Sequence, residues 1–72
     1  MKIRVKVRFN TSLEKFESFG NNMYLVYLTF EQDDEAEEIL KQILSRKLGL
    51  PIGRILFLNI DPLTKDWIFE LQ

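Results

Sequence analysis

An α+β domain, one helix laid on one small sheet, is predicted by three features of this 72-residue sequence. The first segment, Lys2 to Phe9, alternates strictly between basic and apolar residues. A single apolar stripe at three-and-four spacing runs from Ala36 to Leu48. A continuous apolar run from Arg54 to Ile60, bounded by Gly53 and Asp61-Pro62, has the length of a strand and not of a helix. A chain this short forms one domain, residues 1–72, in the size range where burial only just outweighs the entropy of ordering the backbone.

Each element follows from its own pattern. In the first segment Lys2, Arg4, Lys6 and Arg8 fall on one side and Ile3, Val5, Val7 and Phe9 on the other, the period of a half-buried strand. Asn10 and Thr11 break it. Ser12 to Phe19 reads two ways: Leu13, Phe16 and Phe19 fall three apart and Thr11 with Glu14 matches a capping box, yet a short irregular strand or turn also fits and is the reading preferred. Gly20-Asn21-Asn22 is a turn, since Gly and Asn tolerate positive φ. Tyr24 to Phe30, rich in aromatic and branched residues, is a second full strand.

Asp33 or Asp34 can accept hydrogen bonds from the backbone N–H groups that open a helix. Ala36, Ile39, Leu40, Ile43, Leu44 and Leu48 form its apolar face, and Glu35, Glu38, Lys41, Gln42, Ser45 and Arg46 its wet one. Gly49 fits the left-handed residue that ends a helix, and Pro51 bars continuation. Asp66 to Leu71 is the last strand, with Trp67, Phe69 and Leu71 on one face. The prediction is a single sheet of four to five strands in β-β-α-β-β order, with the helix on one face.

Composition narrows the chemistry. Hydrophobic residues make up 46% and charged residues 29%, the balance of a globular domain. Cysteine is absent, which excludes disulfides, thiolate metal sites and thiol catalysis. Histidine is absent too, removing the usual proton-transfer group near neutral pH and the commonest zinc ligand. A net charge of −1 and a pI near 5.3 give no overall pull toward nucleic acid or anionic membrane. No apolar run approaches the roughly 20 residues that cross a bilayer, and the charged start MKIRVKVRF resembles neither a signal nor a transit peptide, so a cytoplasmic protein is expected.

Two stretches, MKIRVKVRFN and AEEILKQILSRKLGLPIGRI (Ala36 to Ile55), resemble the YggU-like family of small uncharacterised proteins. The resemblance covers nearly the whole chain and implies a lysine-rich first strand, an apolar hairpin, a helix and two closing strands. Asp34-Glu35-Ala36-Glu37 stands where the family has Gly-Lys-Ala-Asn, and Trp67 stands where a lysine ends the family's Ser-Arg-x-Lys segment. The resemblance implies no biochemical activity, and the family's polar motifs are largely replaced. A second likeness, to the ubiquitin-like β-grasp, rests on the order of elements and on the helix followed by Gly49-Leu50-Pro51 and an apolar strand. Glu70-Leu71-Gln72 carries no diglycine tail.

Four constellations are candidates for function. The basic row Lys2, Arg4, Lys6 and Arg8 would set side chains about 6 to 7 Å apart, a spacing suited to successive phosphates. Basic residues on a strand also simply keep an outer face wet, and the interleaved Ile3, Val5 and Val7 cannot stack bases. The acidic cluster Glu31, Asp33, Asp34, Glu35, Glu37 and Glu38 could hold a hard cation, but acids at a helix start are favoured by its dipole and no Gly folds this run around an ion. Asp61 and Asp66 beside Lys65 make a carboxylate pair in what reads as an ordinary hairpin loop. No catalytic residue, metal ligand or cofactor site is assigned.

The fourth is a surplus of apolar residues: Leu25, Val26, Tyr27, Leu28, Ile55, Leu56, Phe57, Leu58, Trp67, Ile68 and Phe69 occupy both faces of three strands. A sheet covered by one helix has one dry face, so the surplus needs a second cover. Either Leu13, Phe16 and Phe19 fold over it, or another protein surface does. The sequence therefore favours a non-enzymatic interaction module, a homodimer or a binder of another protein, with Tyr27, Leu56, Leu58, Trp67 and Phe69 at the interface. A nucleic-acid-binding module using Lys2, Arg4, Lys6 and Arg8 is the alternative.

Overall fold

The computed structural model describes residues 1–72. Five strands and one helix follow one another as β1 (Lys2–Arg8), β2 (Lys15–Gly20), β3 (Met23–Tyr27), α1 (Ala36–Leu48), β4 (Ile55–Ile60) and β5 (Trp67–Leu71), with a short 3₁₀ turn at Ile52–Arg54 before β4. They build one mixed sheet in the order β2-β3-β1-β5-β4 with a single helix, the α+β architecture expected. The ambiguous segment after Thr11 resolves as an edge strand.

The first strand lies in the middle. β1 pairs parallel with β3 and antiparallel with β5. Parallel neighbours need a crossover between them, and here β2 supplies it: the chain leaves β1, runs back along the outer edge, turns, and enters β3 beside β1. Asn10 takes φ 58° at the exit, and both the N–H and the Oγ of Thr11 donate to the Leu28 carbonyl, each at 3.0 Å. Gly20, Asn21 and Asn22 all sit at positive φ, as a tight hairpin turn requires.

β3 is shorter than the sequence reading of Tyr24 to Phe30. It stops at Tyr27, although the Leu28 N–H still reaches the Arg8 carbonyl at 2.8 Å. The Leu28 carbonyl is taken by Thr11 and that of Phe30 by the Asn10 N–H at 3.0 Å, so the crossing strand exit closes the ladder. Apolar content carries Leu28 and Phe30 into the core without extending the strand.

The helix forms as its pattern dictates. Ala36, Leu40, Ile43 and Leu44 are buried, with Ile39 and Leu48 partly so. Asp33 Oδ1 accepts the Glu35 N–H at 2.9 Å, which organises the approach; Glu35 itself occupies the cap and makes no side-chain capping bond. Gly49, at φ 68°, returns its N–H to the Ser45 carbonyl at 3.0 Å. α1 lies over the β4 side of the sheet and closes a core of Ile3 and Val5 from β1, Val26 from β3, Ile55 from β4, and Trp67, Phe69 and Leu71 from β5.

Leu44 is fully buried, so Leu44→Ala leaves a cavity and should cost roughly 2 to 5 kcal/mol. Glu38 is exposed, and Glu38→Ala should cost about 0.5 kcal/mol or less. Urea unfolding of the two variants checks this, and equal shifts in midpoint would contradict the packing described.

Candidate protein interface

The face of the sheet away from α1 is set out by register, because cross-strand partners point to the same side. Lys2, Glu70 and Leu56 form one row; Arg4, Ile68 and Asn59 the next. Lys6 with Leu25 and Glu17, then Arg8 with Tyr27 and Lys15, complete it. The basic side chains of β1 thus run down the middle of the open face and split its apolar residues into two strips. One strip is Leu25 and Tyr27 on β3; the other is Ile68, Leu56 and Leu58 toward β4.

This arrangement corrects the predicted interface. Trp67 and Phe69 are 5% and 0% exposed and lie on the helix side, where Phe57 packs against both rings at centroid distances of 5.2 and 5.5 Å. Register decides this: Phe69 is opposite Ile3, and Trp67 opposite Val5, both buried. Bringing either out would forfeit about 1.5 to 3 kcal/mol of burial, so neither can serve a partner. Tyr27 does face outward, half-buried under Lys15, whose Nζ lies 5.9 Å from the ring centre. It is three strands and about three rows from Leu56, roughly 14 Å across and 20 Å along, with the basic row of β1 between them. Leu56 and Leu58, 39% and 43% exposed, remain together on β4.

The intramolecular cover is also corrected. Leu13 and Phe19 stay 66% and 54% exposed, and Phe16 turns to the helix side against Tyr24, at 5.5 Å between ring centres. β2 extends the sheet instead of folding over it.

Half of the basic row is engaged. Arg4 Nη1 lies 3.2 Å from Asp61 Oδ2 and 3.3 Å from Asp66 Oδ2, and Lys6 Nζ lies 3.1 Å from Asp66 Oδ1. Asp66, 2% exposed, is therefore a buried carboxylate held by two half-exposed cations, a clamp that ties the β4–β5 hairpin to β1. Asp61 also shapes the loop: its Oδ1 accepts the Leu63 N–H at 2.8 Å and its carbonyl accepts the Lys65 N–H at 2.8 Å. The two aspartates thus do come together, on Arg4, as a structural junction. Glu70 Oε2, shielded from solvent, has the Met1 ammonium at 2.9 Å. Lys2 and Arg8 carry no ion pair, and the acids around the helix start do not converge into a group that could hold a metal ion.

The two outer strands differ. On β2, Lys15 and Glu17 pair at 2.7 Å, the Glu17 carboxylate holding the lysine above its ordinary 10.5, and a register shift falls between Ser18 and Gly20. β4 reads Ile-Leu-Phe-Leu-Asn-Ile, with no charge and no proline. Charges and bulges are the usual guards of an edge, and β4 has only a bulge, between Phe57 and Asn59. Ile52 and Leu63, 39% and 91% exposed, flank it. The sequence reading missed Leu63, whose exposure follows from the Asp61 turn that lifts the loop tip outward. No helix is long and apolar enough to cross a membrane.

Comparison with family profiles, characterised proteins and solved structures finds no match to this chain.

The Asp61 carboxyl is held below its ordinary 3.8, first by the Leu63 N–H and then by Arg4 and the Thr64 N–H, against partial desolvation. A depressed folded value stabilises the fold above the unfolded value and is lost as pH falls through the folded one. Asp61→Asn keeps an acceptor for Leu63 and cannot titrate. The variant should therefore be less stable than the parent at about pH 7, and the gap should narrow as pH falls below the carboxyl's ordinary 3.8, as read from urea midpoints. A gap constant across that range would contradict the role given to the charge.

Proposed function

We propose that this chain is a non-enzymatic protein-interaction module that self-associates through the β4 side of its sheet. The observation that carries this reading is the contrast between the two edges. β2 is charged and bulged, while β4 is free of charge and presents Leu56 and Leu58 to solvent. An exposed apolar edge strand is a standing liability for a monomer and a ready contact for a partner. Leu13, Phe16 and Phe19, the candidates for covering the apolar surplus from within, lie elsewhere, which favours a cover from outside.

The nucleic-acid alternative loses support from the same face. Arg4 and Lys6 already hold Asp61 and Asp66, so phosphate binding would have to displace carboxylates from two of the four cations.

Sedimentation equilibrium across about 1 to 100 µM should show mass rising from 8.6 kDa toward twice that value, with little change between about 0.05 and 0.5 M salt, since apolar burial is not screened. Leu58→Lys, at an exposed position, should return the mass to monomer while shifting stability by about 0.5 kcal/mol or less. A monomer at every concentration would overturn the reading. Oligonucleotide binding that vanishes by about 0.2 M salt would assign the open face to phosphate instead.

A further inference from the structure

We infer that β4 of one chain pairs antiparallel with β4 of a second copy, continuing the sheet across a two-fold axis that passes between the two Leu56 residues. This rests on the self-association reading and adds the segment, its direction and its register.

Two hydrogen bonds fix which backbone groups of β4 are available. The Gln72 N–H reaches the Arg54 carbonyl at 2.8 Å, and the Asp61 N–H reaches the Asp66 carbonyl at 2.8 Å. In an antiparallel ladder the residues that exchange bonds alternate along the strand. Arg54 and Leu56 therefore address β5 before the bulge, and Asn59 and Asp61 address it after. Ile55, Phe57 and Ile60 turn their backbones outward. The Ile55 N–H closes the 3₁₀ turn on the Ile52 carbonyl, which leaves the Ile55 carbonyl and both groups of Phe57 open to a partner.

With the axis at Leu56, each Phe57 N–H meets the Ile55 carbonyl of the other copy, and the bond is made twice by symmetry. Shifting the axis to Phe57 would set Ile55 against Asn59, whose backbone is turned to its own β5. An axis there would bond the two Phe57 residues to each other; the Leu56 axis is the register in which the Ile55 carbonyl, too, finds a donor. In it the two Leu56 side chains form a non-hydrogen-bonded pair with Cβ atoms about 4.5 to 5.5 Å apart on the open face. The occupant is a second copy because a strand free of charge meets itself without like-charge repulsion, and because a two-fold makes one donor and one acceptor sufficient. The guarded β2 edge stops growth, so the product is a closed dimer and not a filament.

The absence of native cysteine makes the register testable. Leu56→Cys and, as a control at the other side of the sheet, Leu13→Cys are oxidised with glutathione disulfide as electron acceptor, while the parent chain is run by sedimentation. Leu56→Cys should form a disulfide-linked dimer at least about tenfold faster than Leu13→Cys, because the pair is held at high effective concentration. A parent that dimerises while Leu56→Cys links no faster than Leu13→Cys would overturn the β4 pairing and leave self-association standing. A parent that stays monomeric would overturn both.

Discussion

The structure depends on β1 being the central strand. Its alternation supplies Ile3 and Val5, at 1% and 0% exposure, to the core beneath α1, and it supplies Arg4 and Lys6 to the opposite face. Because β1 has neighbours on both sides, its two faces become the two faces of the whole sheet. β3 can stand parallel to it only if β2 makes the return, which puts β2 at one edge. β5 stands antiparallel on its other side, which puts β4 at the other edge. Each edge is thus a consequence of what the first strand pairs with.

The same strand explains the charge pattern. A central basic row would repel itself if left bare, and Asp66 and Asp61 answer it from the β4–β5 hairpin. Asp66 is nearly inaccessible while Arg4 and Lys6 remain half-exposed, so the contacts are worth more as a registration device than as a source of net stability. They place the end of β4 and the start of β5 over β1, and they occupy cations that composition alone leaves unassigned.

Much of the fold was legible because period reports which residues share a face of one element. The alternation of Lys2 to Phe9, the stripe of Ala36, Leu40, Ile43 and Leu44, and the Gly49 stop all appear where the pattern puts them. Period carries no information about which strand lies beside which. The apolar residues of β3, β4 and β5 could therefore not be sorted between faces without register. Trp67 and Phe69 went to the core, Tyr27 and Leu56 to opposite ends of the open face, and the basic row came between them. The segment Ser12 to Phe19 was ambiguous for a related reason: it carries a helical pattern beside the preferred short strand or turn, and the parallel crossover, a long-range constraint, makes it β2.

Of the apolar residues left exposed, Ile52, Leu56, Leu58 and Leu63 lie on or beside the β4 edge. If, as proposed, the outward backbone of β4 finds its partner in another copy, amide hydrogen exchange at Phe57 responds to it. Leu56, whose N–H faces β5, should be protected at every concentration and serves as the internal reference. The Phe57 N–H should exchange freely in dilute solution and slow by about tenfold or more as concentration rises to about 100 µM. A Phe57 amide that exchanges equally fast throughout, beside a protected Leu56, would contradict the account.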